Sequence, residues 1–145
     1  YDNRRGEVSN MLSVTLVTDR TQADVLAKND KGTYQAADLN RVEKATGEVA
    51  NELTVLGYPV TITIRTNWTY KDIPDIGEMT RYLGNVRKCV TQFHTVPGVS
   101  LPTSMDGLNY IGANNIEKVL VGLDELAAAL PQYYRRCGAA WCGGA

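Results

Sequence analysis

Apolar positions along the 145-residue chain recur in three long stretches at the spacing of a helix, and in two short stretches at the spacing of a strand. Leu39, Val42, Thr46, Val49, Leu53 and Leu56 step by three and four residues, which places them on one stripe of a helix of about five turns. Gly57 stands where a C-terminal cap belongs, and Pro59 forbids continuation. Ile76, Met79, Leu83, Val86, Val90 and Phe93 repeat the spacing. Asp75 is placed as N-cap, with Glu78 three residues on to complete a capping box, and Pro97 and Gly98 follow. Ile116, Val119, Leu123, Leu126 and Leu130 form a third stripe, broadened by Ala113, Leu120 and Ala127. Asn109 can cap it and Pro131 is expected to stop it. Residues 12–17, LSVTLV, and 58–66, YPVTITIRT, alternate instead, which predicts two short strands. The stretch from Thr21 to Lys28 has the makings of a short helix, with a turn over Asn29 to Gly32.

The expected fold is therefore mainly α. It is a three-helix bundle, about 36–56, 76–94 and 109–130, because each apolar stripe must bury itself against the others. A small two-stranded β element, about 12–17 and 58–66, accompanies it. A lone ribbon is marginal in water and must pack on the helices or on another subunit. The organisation reads as an N-terminal extension or tag over 1–11, one bundle domain over 12–131, and an extended connector over 132–145. Connections of roughly 15–20 residues exceed those of a simple bundle and leave room for the strands and structured loop.

Composition changes little in this picture. Apolar residues make up 43% and charged residues 21%, with a formal net charge of −1. That balance points to neither nucleic acid nor an anionic membrane surface. No apolar run approaches the roughly 20 residues needed to cross a bilayer. The polar start YDNRRGEVSN carries no secretory signal; it reads as a tag scar or as the tail of a preceding segment.

A short repeat stands out. Leu39-Asn40-Arg41-Val42-Glu43-Lys44 and Ala113-Asn114-Asn115-Ile116-Glu117-Lys118 share Asn, a β-branched residue, Glu and Lys, each a few residues after a turn signal. Leu83-Gly84-Asn85-Val86-Arg87-Lys88 is a fainter copy, with Arg87 at the Glu position. Two readings are open. Amphipathic helices reuse Glu and Lys on exposed faces, so the match can be convergence. Alternatively, Asn40 and Asn114 point inward from the first turns of their helices and hydrogen-bond loop backbone that would otherwise be buried unsatisfied.

Candidate chemistry is sparse. His94, the one histidine, follows Phe93 at a helix end, where it suits the C-terminal dipole; no nucleophile or orienting partner marks it as a base. An odd count of three cysteines argues against a disulfide framework, and Cys89 reads as a small core residue. Cys137 and Cys142 make one C-x4-C pair without a second, so no metal site is assigned. No phosphate-cradling glycine motif is present. The acidic pairs Asp72/Asp75 and Asp124/Glu125 read as caps or solvated faces. No catalytic residue and no cofactor are assigned, and the chain is not expected to be an enzyme. Tyr34, Trp68, Tyr70 and Tyr110 sit near helix starts, as aromatic lids on a bundle end or as anchors of an interface. Residues 136–145 form a tandem x-C-G-x-A pattern that reads as an extended connector or as a frayed tail.

The segments TDRTQADV (18–25), YQAADLNRVEKA (34–45), LGYPVTITIRTNWTYKDIP (56–74), MTRYLGNVRKC (79–89) and LPTSMDGLNYIGANNIEKVL (101–120) resemble tail-region proteins of phages and prophages of Gram-positive, Firmicutes-type bacteria. The family pattern runs Tyr/Phe-x-Ala-x-Asp-hydrophobic-Asn-Arg-Val/Ile, then Asn/Asp-Trp-Thr, Asp-Ile-Pro and Ala-Asn-x-Ile-Glu. The resemblance covers about residues 18–130. The chain departs at Gln35, where the family often has Asn as N-cap, and in its short 26–33 segment. The resemblance implies a virion structural role near the tail tip or baseplate. It implies a homo-oligomer, a trimer being common among tail parts, assembled with other tail proteins in the host cytoplasm. Tyr34, Trp68, Tyr70 and Tyr110 are then the interface residues, and no nucleic acid or membrane insertion is involved. The alternative is a tail-tip module that binds a host-surface glycan or protein.

Overall fold

The computed structural model describes residues 12–138, with side chains described through Leu130. Four helices follow in order: α1 (Gln22–Ala27), α2 (Ala36–Val55), α3 (Ile76–Gln92) and α4 (Tyr110–Gly138). Helices α2, α3 and α4 pack against one another in all three pairings. Their shared core holds Val42, Val49 and Leu53 of α2, Tyr82, Val86 and Cys89 of α3, and Ile116, Leu120 and Leu123 of α4. No helix among the described residues is long and apolar enough to cross a membrane.

Local signals place the helix starts. The Asp75 carboxylate accepts from Glu78 N–H at 2.7 Å, and Asn109 Oδ1 accepts from Gly112 N–H at 2.8 Å. Thr21 caps α1 with Asp24 in a reciprocal capping box, and Lys28 ends it in the left-handed region. Gly57, at φ 100°, turns the chain out of α2. The Glu78 carboxylate does not close a capping box; it binds Arg65 at 2.9 Å.

Three expectations need correction. The predicted strands at 12–17 and 58–66 are not strands, and no strand occurs among the described residues. Both segments are extended, but each lies in a seam between two helices, where helix side chains take the backbone hydrogen bonds that a neighbouring strand would have taken. The stripe predicted for α3 is too narrow and starts too early: Leu83 and Val86 are in the core and Met79, Val90 and Phe93 pack against it, but Ile76 is exposed, while Tyr82, Asn85 and Cys89 are also buried. Tyr82 and Asn85 face inward because each finds a polar partner there, the Tyr34 hydroxyl at 2.5 Å and the Thr63 carbonyl at 2.7 Å. Finally, α4 passes Pro131 and runs to Gly138, so 132–138 is helical and not extended. A proline inside a helix removes one donor without having to end the helix. Residues 1–11 and 139–145, with the second half of the Cys-Gly tandem, lie outside the described residues.

Candidate functional site

Asn and Glu three residues apart share one helix face. Asn40 and Glu43 on α2 use that face to hold the extended segment that leads into α3. Trp68 N–H donates to Asn40 Oδ1 at 2.8 Å, and Asn40 Nδ2 donates to the Trp68 carbonyl at 2.9 Å. Three residues earlier, Arg65 N–H donates to Glu43 Oε1 at 2.9 Å. The indole Nε1 of Trp68 donates to Glu43 Oε2 at 2.8 Å. Arg81 of α3 then binds both oxygens of Glu43, at 2.7 and 2.9 Å.

Asn114 and Glu117 on α4 repeat this on the segment that leads toward α2. Arg20 N–H donates to Asn114 Oδ1 and Asn114 Nδ2 donates to the Arg20 carbonyl, both at 2.9 Å. Val17 N–H, three residues earlier, donates to Glu117 Oε1 at 2.9 Å. The Arg20 guanidinium takes the place of the indole, with Nη2 donating to Glu117 Oε2 at 2.7 Å. Arg41 of α2 reaches Oε1 through Nε and Oε2 through Nη2, both at 2.9 Å. Asp38 completes the cluster with contacts to Arg20 at 3.3 Å and Arg41 at 2.6 Å. Burial alone would discourage the Arg41 charge. The hydrogen bonds that Arg41 donates to Glu117 and Asp38 reverse that and raise its affinity for the proton.

The two latches use matching helix positions. Asn40 and Asn114 are the fifth residues of their helices and Glu43 and Glu117 the eighth. Arg41 and Arg81 are both sixth residues. The molecule is thus a pseudo-threefold ring in which the segment before each helix lies between that helix and its predecessor. The third seam, between α3 and α4, has lost the latch. In α3 the fifth and eighth residues are Thr80 and Leu83, and in α4 the sixth is Asn115. Pro102 stands eight residues before α4, as Trp68 stands eight before α3, and proline has no N–H to donate. Its carbonyl takes Arg87 Nη2 at 3.0 Å. The counterpart of the repeat in α3 is therefore 79–84, four residues before the fainter copy seen in the sequence at 83–88. Val96 of this third segment lies against Gly122, where an added Cβ would come within 2.5 Å of it.

The aromatic candidates do not form one cluster. Trp68 is 4% exposed, inside the first latch, with the Arg65 guanidinium 3.9 Å from its ring centroid. Tyr34 is half-buried beside Tyr82, and burial raises the pKa of both phenols. Tyr110, half-buried, opens α4. Tyr70 alone of the four is exposed, at 88%, next to Ile73 at 90% and Ile76 at 86%. Ile76 lines a groove of about 640 Å³, with Met79, Leu83, Gly84 and Met105, at the unlatched seam. Sequence reasoning missed Glu43, Glu117, Arg20, Arg41 and Arg81; the usable signal was the recurrence of Asn-x-x-Glu on one helix face.

Other candidate chemistry resolves into local roles. His94 is exposed, with Nδ1 2.6 Å from the Thr95 carbonyl. Burial pushes the Cys89 thiol up to about 12. Asp72 closes a turn by accepting from Thr69 N–H at 2.7 Å, which lowers its pKa. Glu52 faces Asp124 across α2 and α4; burial, then its hydrogen bond to Asp124, raises it to about 8. No group of three or more His, Cys, Asp or Glu among the described residues could hold a metal ion. The side chains of Cys137 and Cys142 lie outside the described residues. Compared with family models, curated proteins and solved structures, the chain matches none.

Proposed function

We propose that this protein is a non-catalytic structural part of a bacteriophage or prophage tail or baseplate, acting through protein–protein contacts. The observation that carries the reading is the pair of latches. The two most deeply buried carboxylates, Glu43 and Glu117, have both oxygens taken by internal donors, so neither has an oxygen to offer a substrate. Charge is used here to fix connecting segments in place, which suits a part whose surface must present a constant shape to its neighbours. The resemblance over residues 18–130 supplies the tail as the assembly.

The test is made on particles. Phage induced from a host that encodes the chain is purified, digested for mass spectrometry, and labelled with a gold-conjugated antibody for electron microscopy. The protein is expected in the particles at a fixed copy number, with label on the tail. Its presence in the lysate with none in the particles overturns the reading. A second reading, a tail-tip module for a host-surface glycan or protein, is favoured by one observation: Tyr70 stands out of the surface beside Lys71, whose ammonium lies 5.8 Å from its ring centroid. Binding to purified host cell walls that is lost in Tyr70→Ala supports it; equal binding of the two proteins removes it.

A further inference from the structure

We propose that the outer face of α3 is a contact surface for a second copy of this chain, the two α3 helices lying antiparallel about a twofold axis. The inference goes beyond the tail reading and does not depend on it, since it rests on the surface alone.

The outer face of α3 is flanked by two adjoining hollows. One, of about 640 Å³, lies against residues 103–106 at the unlatched seam, and the other, of about 370 Å³, lies against residues 59–61 on the α2 side; they share Gly84 and Arg87 and together follow α3 from Ile76 to Thr91. A Cβ built on Gly84 would meet nothing within 4 Å, so the floor has room for a side chain from outside. Beside this hole stand knobs. Tyr70, Ile73 and Ile76 project almost fully into water at the N-terminal end of the helix. Large apolar side chains exposed together mark contact surfaces more often than inert ones.

Charge decides what covers the face. Asp75 lines the groove at one end and Arg87 lies about 18 Å further along the helix axis. Among the described residues neither forms an ion pair: Asp75 caps α3 with one oxygen, and Arg87 donates only to the Pro102 carbonyl. Along α3 the face runs from Asp75 through Met79, Thr80, Leu83 and Gly84 to Arg87, with Thr103, Ser104, Met105 and Asp106 on the opposite wall. A helix face with an acid at one end and a base at the other is complementary to itself when turned end for end. A twofold contact satisfies it twice, with Asp75 of each copy against Arg87 of the other. The same arrangement carries Ile73 and Tyr70 of one copy toward the hollow beside Pro59, Lys88 and Thr91 of the other. A parallel arrangement would set like charges together. The two latched seams lack this option, because their Glu and Arg are already joined internally.

Sedimentation equilibrium of the full chain, up to roughly 100 µM where a micromolar contact is populated, is expected to give the mass of a dimer. Gly84→Glu places a charge on the open floor, and Arg87→Glu sets an acid against Asp75 of the second copy. Each is expected to weaken the dimer at least about tenfold; Gly84→Glu leaves the circular-dichroism melt of the monomer in place, and Arg87→Glu lowers it only by the loss of the exposed bond to the Pro102 carbonyl. Asp75→Lys is expected to do the same to association, with some loss of helix capping. An equimolar mixture of Arg87→Glu and Asp75→Lys restores both pairs and is expected to dimerise where neither variant does alone. A wild-type mass that stays monomeric, a trimeric mass, a dimer indifferent to Gly84→Glu and Arg87→Glu, or a mixture that fails to associate each overturns the proposal. None of these results alters whether the chain is found in particles.

Discussion

Replacing Asn40 with alanine strips Trp68 of an acceptor for its N–H and a donor to its carbonyl in one step. Two peptide groups are left in a site too dry to satisfy them, so Asn40→Ala is expected to cost about 1–3 kcal/mol by urea unfolding. Glu117→Gln is harsher: it leaves the buried Arg20 guanidinium with only the more distant Asp38 carboxylate. A loss of about 3–5 kcal/mol is expected, against a change within about 0.5 kcal/mol for exposed Thr80→Ala. Glu52 gives a pH signature of the opposite kind to a salt-bridged acid. Its folded pKa, about 8, lies above the ordinary glutamate value of 4.5, so between those values the folded chain holds a proton that the unfolded chain releases. Stability from this group therefore falls as pH rises from about 5 to 8 and levels off above. Glu52→Gln is expected to flatten that slope in thermal melts taken across the window. At this scale the sequence announced the asparagines, through their position in the first turns of two helices. It did not announce their arginine partners. Arg20 comes from a segment 94 residues away from Asn114, and nothing local says which distant carboxylate a given arginine will meet.

The extended segments show how an alternating pattern can be read correctly for burial and wrongly for pairing. Leu12, Val14 and Leu16, like Val60 and Ile62, turn one face to the core, which is all that alternation reports. Whether the backbone on that path is met by a strand or by helix side chains leaves the same trace in the letters. Amide hydrogen exchange separates the two. The N–H groups of Val17, Arg20, Arg65 and Trp68 are expected to be protected, each held by a helix side chain. Those of Thr66 and Asn67, on the same path, are expected to exchange fast; a strand ladder would protect alternate residues throughout. The α3 helix was legible in its bounds and in most of its facing, but Ile76 looks like core and is exposed, while Tyr82 and Asn85 do not look like core and are buried. An apolar residue can be left outside where a groove needs it, and a polar one taken inside where a partner waits. The α2 stripe, with no such exchange along most of its length, was read almost residue for residue.

At the scale of the molecule, one unit of segment plus helix is used three times, and one seam holds Thr80, Leu83, Asn115 and Pro102 where the others hold the Asn, Glu, Arg and a backbone donor. The threefold plan was half visible as a repeated hexapeptide, but the third copy was sought four residues late, because Arg87 and Lys88 mimic the charged pair and Thr80 and Leu83 do not. Closing the ring depends on residues 12–20 reaching α4, so a chain that begins at Thr21 is expected to lose cooperative thermal unfolding, leaving Asn114, Glu117 and Arg41 without the segment that satisfies them. Contacts this distant in sequence slow folding, because the intervening chain must be ordered before they form. The packing also sets an order on synthesis. Residues 12–20 leave the ribosome about ninety residues ahead of the helix that seats them. Until α4 clears the exit tunnel, Arg20 has no Glu117 to meet, and a segment made early settles late.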